Sequence, residues 1–226
     1  MDGFRFDMLV DAAPLLLEGL WATVYVSLLS FALALAVGGA VGVLRSKSEF
    51  FRAALAPYVE VFRGTPLLIQ LFFIYYGLPT LGVTLDRVAA GVVGLGLNGG
   101  AYISEIIRGA LRSVDKGQQD AASALGLSWT QSMAHVILPQ AVSVALPALV
   151  NSFSAMLKES SLVSVLAITE LTRVSQLIYT RTFRAFEVYT AIGAIYFVMT
   201  YAASLLSRRL ERKFHVSGRI SDDMTI

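Results

Sequence analysis

VDKGQQDAASALGLSWTQSMAHVILPQA, residues 114–141, lies between stretches that are otherwise apolar enough for a lipid bilayer. It carries two adjacent Gln, two Asp and a Lys, and then runs through Ile-Leu-Pro into an apolar segment. A membrane chain that keeps a polar helix of this kind between two spans has a use for it outside the lipid. The surrounding sequence decides whether that reading holds.

Those surroundings are apolar by composition. Of 226 residues, 56% are hydrophobic and only 15% charged, with a mean hydropathy of +0.67. A soluble domain carries roughly 25% charged residues, so the excess is a membrane signal and not a large core. A net charge of +2, with the basic residues scattered, gives no footprint for nucleic acid. Without Cys, disulfides, thiolate catalysis and Cys-based metal sites are excluded. The opening residues carry Asp2, Asp7, Asp11 and Glu18 against Arg5, unlike the basic start of a secretory signal. The apolar run that follows therefore reads as a retained first helix.

A membrane helix needs about 20 predominantly apolar residues. Five segments qualify, near 20–44, 57–79, 88–107, 135–156 and 185–207. They belong to a single transmembrane domain over 1–226, with the polar loop at about 115–130. The first segment, LWATVYVSLLSFALALAVGGAVGVL, is free of charge. The second begins at Pro57, a residue suited to a first helical turn, and stops at Pro79. The fourth contains Pro139 and Pro147 and is expected to be kinked or irregular. Gly38 with Gly42 and Gly96 with Gly100 have the spacing that lets backbones approach, though Gly is also simply common in membrane helices.

Lys and Arg in short loops set orientation. With the N-terminus outside, Arg45, Lys47 and Arg52, then Arg108, Arg112 and Lys116, then Arg208, Arg209, Arg212, Lys213 and Arg219 all fall inside. Residues 158–184 break the pattern with Lys158, Arg173, Arg181 and Arg184 outside, which argues that this segment is not a plain loop.

Within the polar stretch, Asp115 can N-cap a short helix, with Gln118 three residues on as a variant of the capping box. Ala121, Ala122, Leu125 and Trp129 then fall on one side at helical spacing, and Gln118, Asp120 and Ser123 on the other. Gly126 is placed to end the helix. A face this small and Ala-rich suits a partner's groove. The alternative is a helix lying on the inner leaflet, but such helices favour Lys or Arg opposite bulky apolar residues.

The stretch GQQDAASALGLSWTQSMAHVILPQA resembles the EAA loop of ABC-importer permeases: an acidic-Ala-Ala, a Gly four residues after the second Ala, then Ile-Leu-Pro. Here these are Asp120, Ala121, Ala122, Gly126, Ile137, Leu138 and Pro139, with Asp120 where the family usually has Glu. FRGTPLLIQLFFIYYGLP (62–79), AYISEIIRGALRSVDKGQ (101–118) and LKESSLVSVLAITELTR (157–173) resemble the polar amino-acid permeases of that superfamily, and the likeness runs from about residue 20 to 213.

The resemblance implies the all-α, five-helix MetI-like fold of type I ABC importers, multi-pass in a bacterial cytoplasmic (inner) membrane with the C-terminus in the cytoplasm. It implies a second permease subunit, two cytoplasmic ATPase subunits that bind ATP and Mg, and an extracytoplasmic binding protein that delivers a polar amino acid. Residues 115–130 become the coupling helix, with Gly117, Asp120, Ala121, Ala122, Leu125 and Gly126 as the ATPase-coupling residues. Other solutes, such as opine- or ectoine-like compounds, are the alternative cargo. A stand-alone channel or secondary transporter is the rival class, which would need internal inverted repeats.

The chain offers no catalytic or cofactor site of its own. It lacks G-x-x-x-x-G-K-[ST], because Val41 and Ser46 stand where Lys47-Ser48 would need Gly. It lacks G-x-S-x-G, and His135 and His215 alone make no zinc site. Polar groups at membrane depth mark a pathway by default, which singles out Asn98 and Glu105. Lys158, Glu159 and Ser161 interrupt the chain before an apolar run too short to cross, reading as a broken or re-entrant helix. Lys158 and Glu159 could meet the carboxylate and ammonium of a zwitterion; the alternatives are lining without contact, or Lys158 snorkelling and pairing with Glu159. Glu60 with Arg63 reads as a structural ion pair, and Glu170 with Arg173 as a helix cap.

Overall fold

A computed structural model describes residues 5–214. Asp2, His215 and Arg219, used above, lie outside the described residues. Helices joined by short linkers make up the described residues. Phe6–Asp11 forms α1 and Ala13–Lys47 forms α2, with Pro14 in its first turn. At 35 residues, α2 is about 50 Å long at 1.5 Å per residue, more than a bilayer core of about 30 Å requires.

Where one straight second span was expected over 57–79, the chain is broken. After α3 (Glu49–Ala54), α4 (Ala56–Gly64) stops at Thr65 and α5 (Leu67–Phe72) starts beyond Pro66, and the two arms are bent by 107°. The cause is Pro66. It forces Thr65 into an extended conformation (φ −114°, ψ 148°) and removes the N–H that the Phe62 carbonyl would have accepted. Among the described residues, four helical segments are long and apolar enough to cross, and five if the bent pair is one span.

The other prolines act differently. Residues Phe73–Gly77 and Met133–Ile137 each form a π-helical turn, and each ends two residues before a proline, Pro79 and Pro139. Proline clashes with the carbonyl four residues back, and widening the helix by one residue relieves the clash. Pro147 sits within α9 (Leu138–Glu159). A 3-10 segment, Ser160–Leu166, follows α9 and ends on Ala167 in the left-handed region (φ 57°), before α10 (Leu171–Thr182). So 158–184 is indeed helical and broken. Finally, α11 covers Ala185–Phe214.

Helix α6 (Arg87–Ser113) is the centre: 56% of its apolar stretch is buried, against 11% for α11. It lies along α2 at backbone distance. A Cβ on Gly38 would come within 2.6 Å of the Gly100 carbonyl oxygen, and one on Gly42 within 2.8 Å of that of Ser104. The two helices approach this closely only without side chains there. Around them lie four apolar clusters, of which Leu71, Ile74, Leu95 and Leu166 form one and Ala110, Ile137, Ala141 and Ala145 another.

Candidate functional site

The ends of α2, α6, α9 and α11 that carry Lys47, Ser113, Leu138 and Arg209 lie together, and between α6 and α9 the chain leaves the bundle as α7 (Lys116–Ala124) and α8 (Trp129–Ser132). Asp115 caps α7 by accepting the Gly117 N–H at 2.7 Å. Gln118 does not complete the expected capping box: its side-chain oxygen instead accepts from Gln140 of α9 at 3.3 Å, tying α7 to the bundle. The reciprocal box occurs one helix later, between Ser128 and Gln131.

Gly126 ends α7 as predicted, in the left-handed region at φ 79°. Its N–H donates to the Ser123 carbonyl at 3.0 Å and that of Leu127 to Ala122 at 3.1 Å, a complete Schellman motif.

The expected single apolar face divides in two. Ala122 is buried (3% exposed) on the bundle side, while Ala121 and Asp120 are exposed and Leu125 is 81% exposed. The helix ends at Ala124 and Trp129 belongs to α8, so the four do not form one continuous face: the bundle takes Ala122, and Leu125 projects from the C-cap. Trp129 receives Lys47 over its ring at 5.3 Å, which links α8 to the end of α2.

The two polar groups in α6 are occupied by the fold. Asn98 is buried, and its amide nitrogen donates to the Phe62 carbonyl at 2.9 Å and to Gln70 Oε1 at 3.1 Å. Gln70 in turn donates to Phe62 (2.9 Å) and to the Thr65 carbonyl (3.0 Å). Both amides thus satisfy carbonyls at the break that Pro66 creates. Asn98 thus braces that break from α6. Glu105 is likewise engaged, its carboxylate shared by Arg45 of α2 and Arg108 of α6. Arg63 lies over the Tyr102 ring at 5.2 Å and forms no ion pair with Glu60 among the described residues.

At the opposite end, Lys158 and Glu159 are exposed, and among the described residues neither makes a salt bridge or side-chain hydrogen bond. Adjacent residues on a helix point apart, so the alternative of a local Lys158–Glu159 pair has no direct hydrogen-bonded contact here. The Ser161 hydroxyl donates to the Lys158 carbonyl at 2.7 Å.

Glu170 caps α10, accepting from the Thr172 and Arg173 N–H groups at 2.9 and 2.8 Å, and also from the Tyr196 hydroxyl of α11 at 2.9 Å. Thr23 of α2 accepts the Leu171 N–H at 3.0 Å, so three helices meet here. Glu170 is fully buried, and burial pushes its carboxyl above the usual range despite these hydrogen bonds. Sequence reasoning caught the cap but missed Gln70, Tyr196 and Arg45, whose partners are far away in the chain.

A bundle of four or five candidate spans among the described residues, with a polar, capped helix pair standing off one end, defines a class: a multi-pass membrane protein with a polar helical element outside the bundle. The family described as "Binding-protein-dependent transport system inner membrane component" matches residues 19–216, and the chain belongs to it. It is therefore the membrane-embedded transport subunit of such a system, and not an enzyme. Among its relatives, the "Glutamine transport system permease protein GlnP" of Escherichia coli (strain K12) is 38% identical over 216 residues, 94% of this chain and 99% of that protein. The "L-cystine transport system permease protein TcyB" of Bacillus subtilis (strain 168) is 37% identical over 202 residues, 88% and 86% of the two. A solved chain from a crystal structure of "an amino acid ABC transporter with histidines" superposes with a TM-score of 0.86 at 41% identity, covering 94% of this chain and 100% of that one. A chain of the MetNI methionine ABC transporter, 22% identical with a TM-score of 0.74 over 88% and 96% of the chains, shares the fold.

Proposed function

We infer that the chain forms half of the membrane pore of an ATP-driven importer for a polar amino acid. The relatives named for glutamine and L-cystine, and the structure holding histidines, agree on the class of cargo and differ on the member. A binding protein delivers the amino acid from outside, and a second permease subunit completes the pore. Two ATPases with ATP and Mg dock at the α7 end, which faces the cytoplasm because Arg45, Lys47, Arg52, Arg108, Arg112, Arg208 and Arg209 gather there. The N-terminus is outside.

The observation that carries this reading is Leu125, 81% exposed on a short helix whose ends are both fixed. An apolar knob on a rigid base, outside the lipid, fits the groove of a partner that pushes and pulls. Asp120 and Ala121 flank it, and Gly117 and Gly126 shape the ends of its helix. Lys158 and Glu159 are the groups placed to receive the carboxylate and ammonium of the cargo.

The test is reconstitution of the chain with its ATPase and candidate binding proteins in vesicles, with ATP hydrolysis and uptake measured over a panel of amino acids. Stimulation by one loaded binding protein is the expected result. A chain that conducts or exchanges amino acids with no ATPase present would overturn the proposal.

A further inference from the structure

An apolar groove of ≈ 500 Å³ opens on the side of the bundle between α2, α9 and α11, away from the α2–α6 contact. Leu28 and Leu35 of α2, Leu149 and Phe153 of α9, and Ala203 and Leu206 of α11 line it. Its mouth faces outward, with Leu28 52% and Leu206 51% exposed.

Two features identify what lies against that mouth. Leu28 and Leu35 share one face of α2 with Trp21 and Tyr25, which are 70% and 47% exposed. Exposed Trp and Tyr at one end of an apolar helical face mark a membrane–water boundary, so this face looks into lipid. At about 1.5 Å per residue, Leu28 lies about 10 Å and Leu35 about 21 Å below Trp21. In a hydrocarbon layer of about 30 Å, the Leu28–Leu35 stretch of the groove therefore straddles the midplane, with its Leu35 side toward the α7 end.

At that end, Arg209 stands three residues beyond Leu206 and seven beyond Ala202, on the same face of α11. It is exposed and, among the described residues, has no salt-bridge partner. Its neighbour Arg208 is drawn over the Tyr201 ring at 5.8 Å.

We propose that this groove is a specific site for an anionic phospholipid of the inner leaflet, one acyl chain lying between α2, α9 and α11 and the headgroup phosphate held by Arg209. An acyl chain gains no hydrophobic free energy by moving from lipid to protein, so the headgroup supplies the selectivity. Basic positions at the cytoplasmic ends of grooves between membrane helices suit such headgroups. The proposal rests on the topology given under Proposed function only for the name of the leaflet, so a reporter that reversed the topology would leave the lipid result standing by itself.

The test uses the assembled complex in vesicles of phosphatidylethanolamine and phosphatidylglycerol, followed by native mass spectrometry of retained lipid. The wild type should retain phosphatidylglycerol in preference to phosphatidylethanolamine. Arg209→Gln should lower that preference about fivefold, the equivalent of about 1 kcal/mol for one basic residue at the membrane surface. Ala203→Trp, which fills the groove, should remove the retained lipid while the ATPase still co-purifies. Equal retention of both lipids by the wild type, or an unchanged preference in Arg209→Gln, overturns the proposal even if Ala203→Trp fails to assemble. The natural chain has no Cys, so Leu206→Cys gives a clean check on the other occupant. A disulfide-linked dimer formed through that position would assign the groove to a second copy of the chain.

Discussion

Replacing Asn98 by Ala should lower stability modestly, and by less than replacing Gln70 by Ala. The ranking follows from which groups each change orphans. The Phe62 carbonyl, freed by Pro66, accepts from both Asn98 and Gln70 at 2.9 Å. Without Asn98 it keeps Gln70, and only Gln70 Oε1 loses its donor. One unsatisfied buried acceptor costs about 1–3 kcal/mol, and hydrogen bonds between membrane helices average about 0.6 kcal/mol with a ceiling near 1.7, so about 1–2 kcal/mol is expected. Without Gln70, the Thr65 carbonyl loses the donor at 3.0 Å, the Asn98 amide loses its acceptor, and a buried side chain leaves a void. That sums to about 2–4 kcal/mol. The assay is denaturant unfolding of the purified complex in detergent for both single variants and the double. The double should cost less than the two singles together, because the Asn98–Gln70 bond is then lost once with neither end left orphaned, which outweighs the Phe62 carbonyl that only the double leaves without a donor. Two outcomes would refute the reasoning: Asn98→Ala costing more than Gln70→Ala, or Asn98→Ala leaving stability untouched while shifting the half-saturation of uptake. The second result would assign Asn98 to the pathway.

Leu125→Asp should abolish substrate-stimulated ATP hydrolysis while membrane insertion stays normal; full stimulation in that variant would remove α7 as the coupling element. Gly126→Val places a β-branched residue at φ 79° and should weaken the α7 end by about 1–2 kcal/mol, read as faster proteolysis of the 115–130 segment. Lys158→Ala should raise the half-saturation for every transported amino acid about ten- to a hundredfold, from about 1.5–3 kcal/mol per charge-assisted hydrogen bond, leaving the binding protein's affinity unchanged. For Glu170 the sign is set by its raised folded-state value. Its contribution is complete below the ordinary carboxylate range and is lost as pH rises through the elevated value, so thermal stability should fall over that window. Glu170→Gln should flatten that part of the profile, and an identical slope in the variant would exclude Glu170 as the source.

The ends of α7 were legible because Asp115 and Gly126 act on atoms within three residues of themselves. Run length marked where the chain crosses the membrane, and the four-residue glycine spacing in α2 and α6 marked the faces that meet. The break in the second span was also written locally, as Gly64-Thr65-Pro66, but the apolar length of 57–79 outweighed that signal. Asn98 and Glu105 could not be placed from sequence. A lone amide in a span has the same spelling whether it faces a pathway or a carbonyl orphaned by a proline 32 positions earlier. The partner of Glu105 is Arg45, at |i−j| = 60, and nothing local to either residue indicates the other. The division of the α7 surface was hidden for a similar reason. Ala121 and Ala122 are identical in composition, and only the position of the bundle decides which of them is buried.

The backbone contact of Gly38 with Gly100 and of Gly42 with Ser104 makes α2 and α6 a single stiff beam. The shared carboxylate of Glu105 ties Arg45, near the end of α2, to the last third of α6. Over the 27 residues of α6 that beam is about 40 Å long. A tilt of about 5° at the α7 end displaces its far end, where Asp86 and Arg87 lie and Arg87 reaches the Ala167 carbonyl, by about 3–4 Å. Under the coupling role proposed for α7, a small stroke at one surface would reach the segment that follows Lys158 and Glu159 on the other.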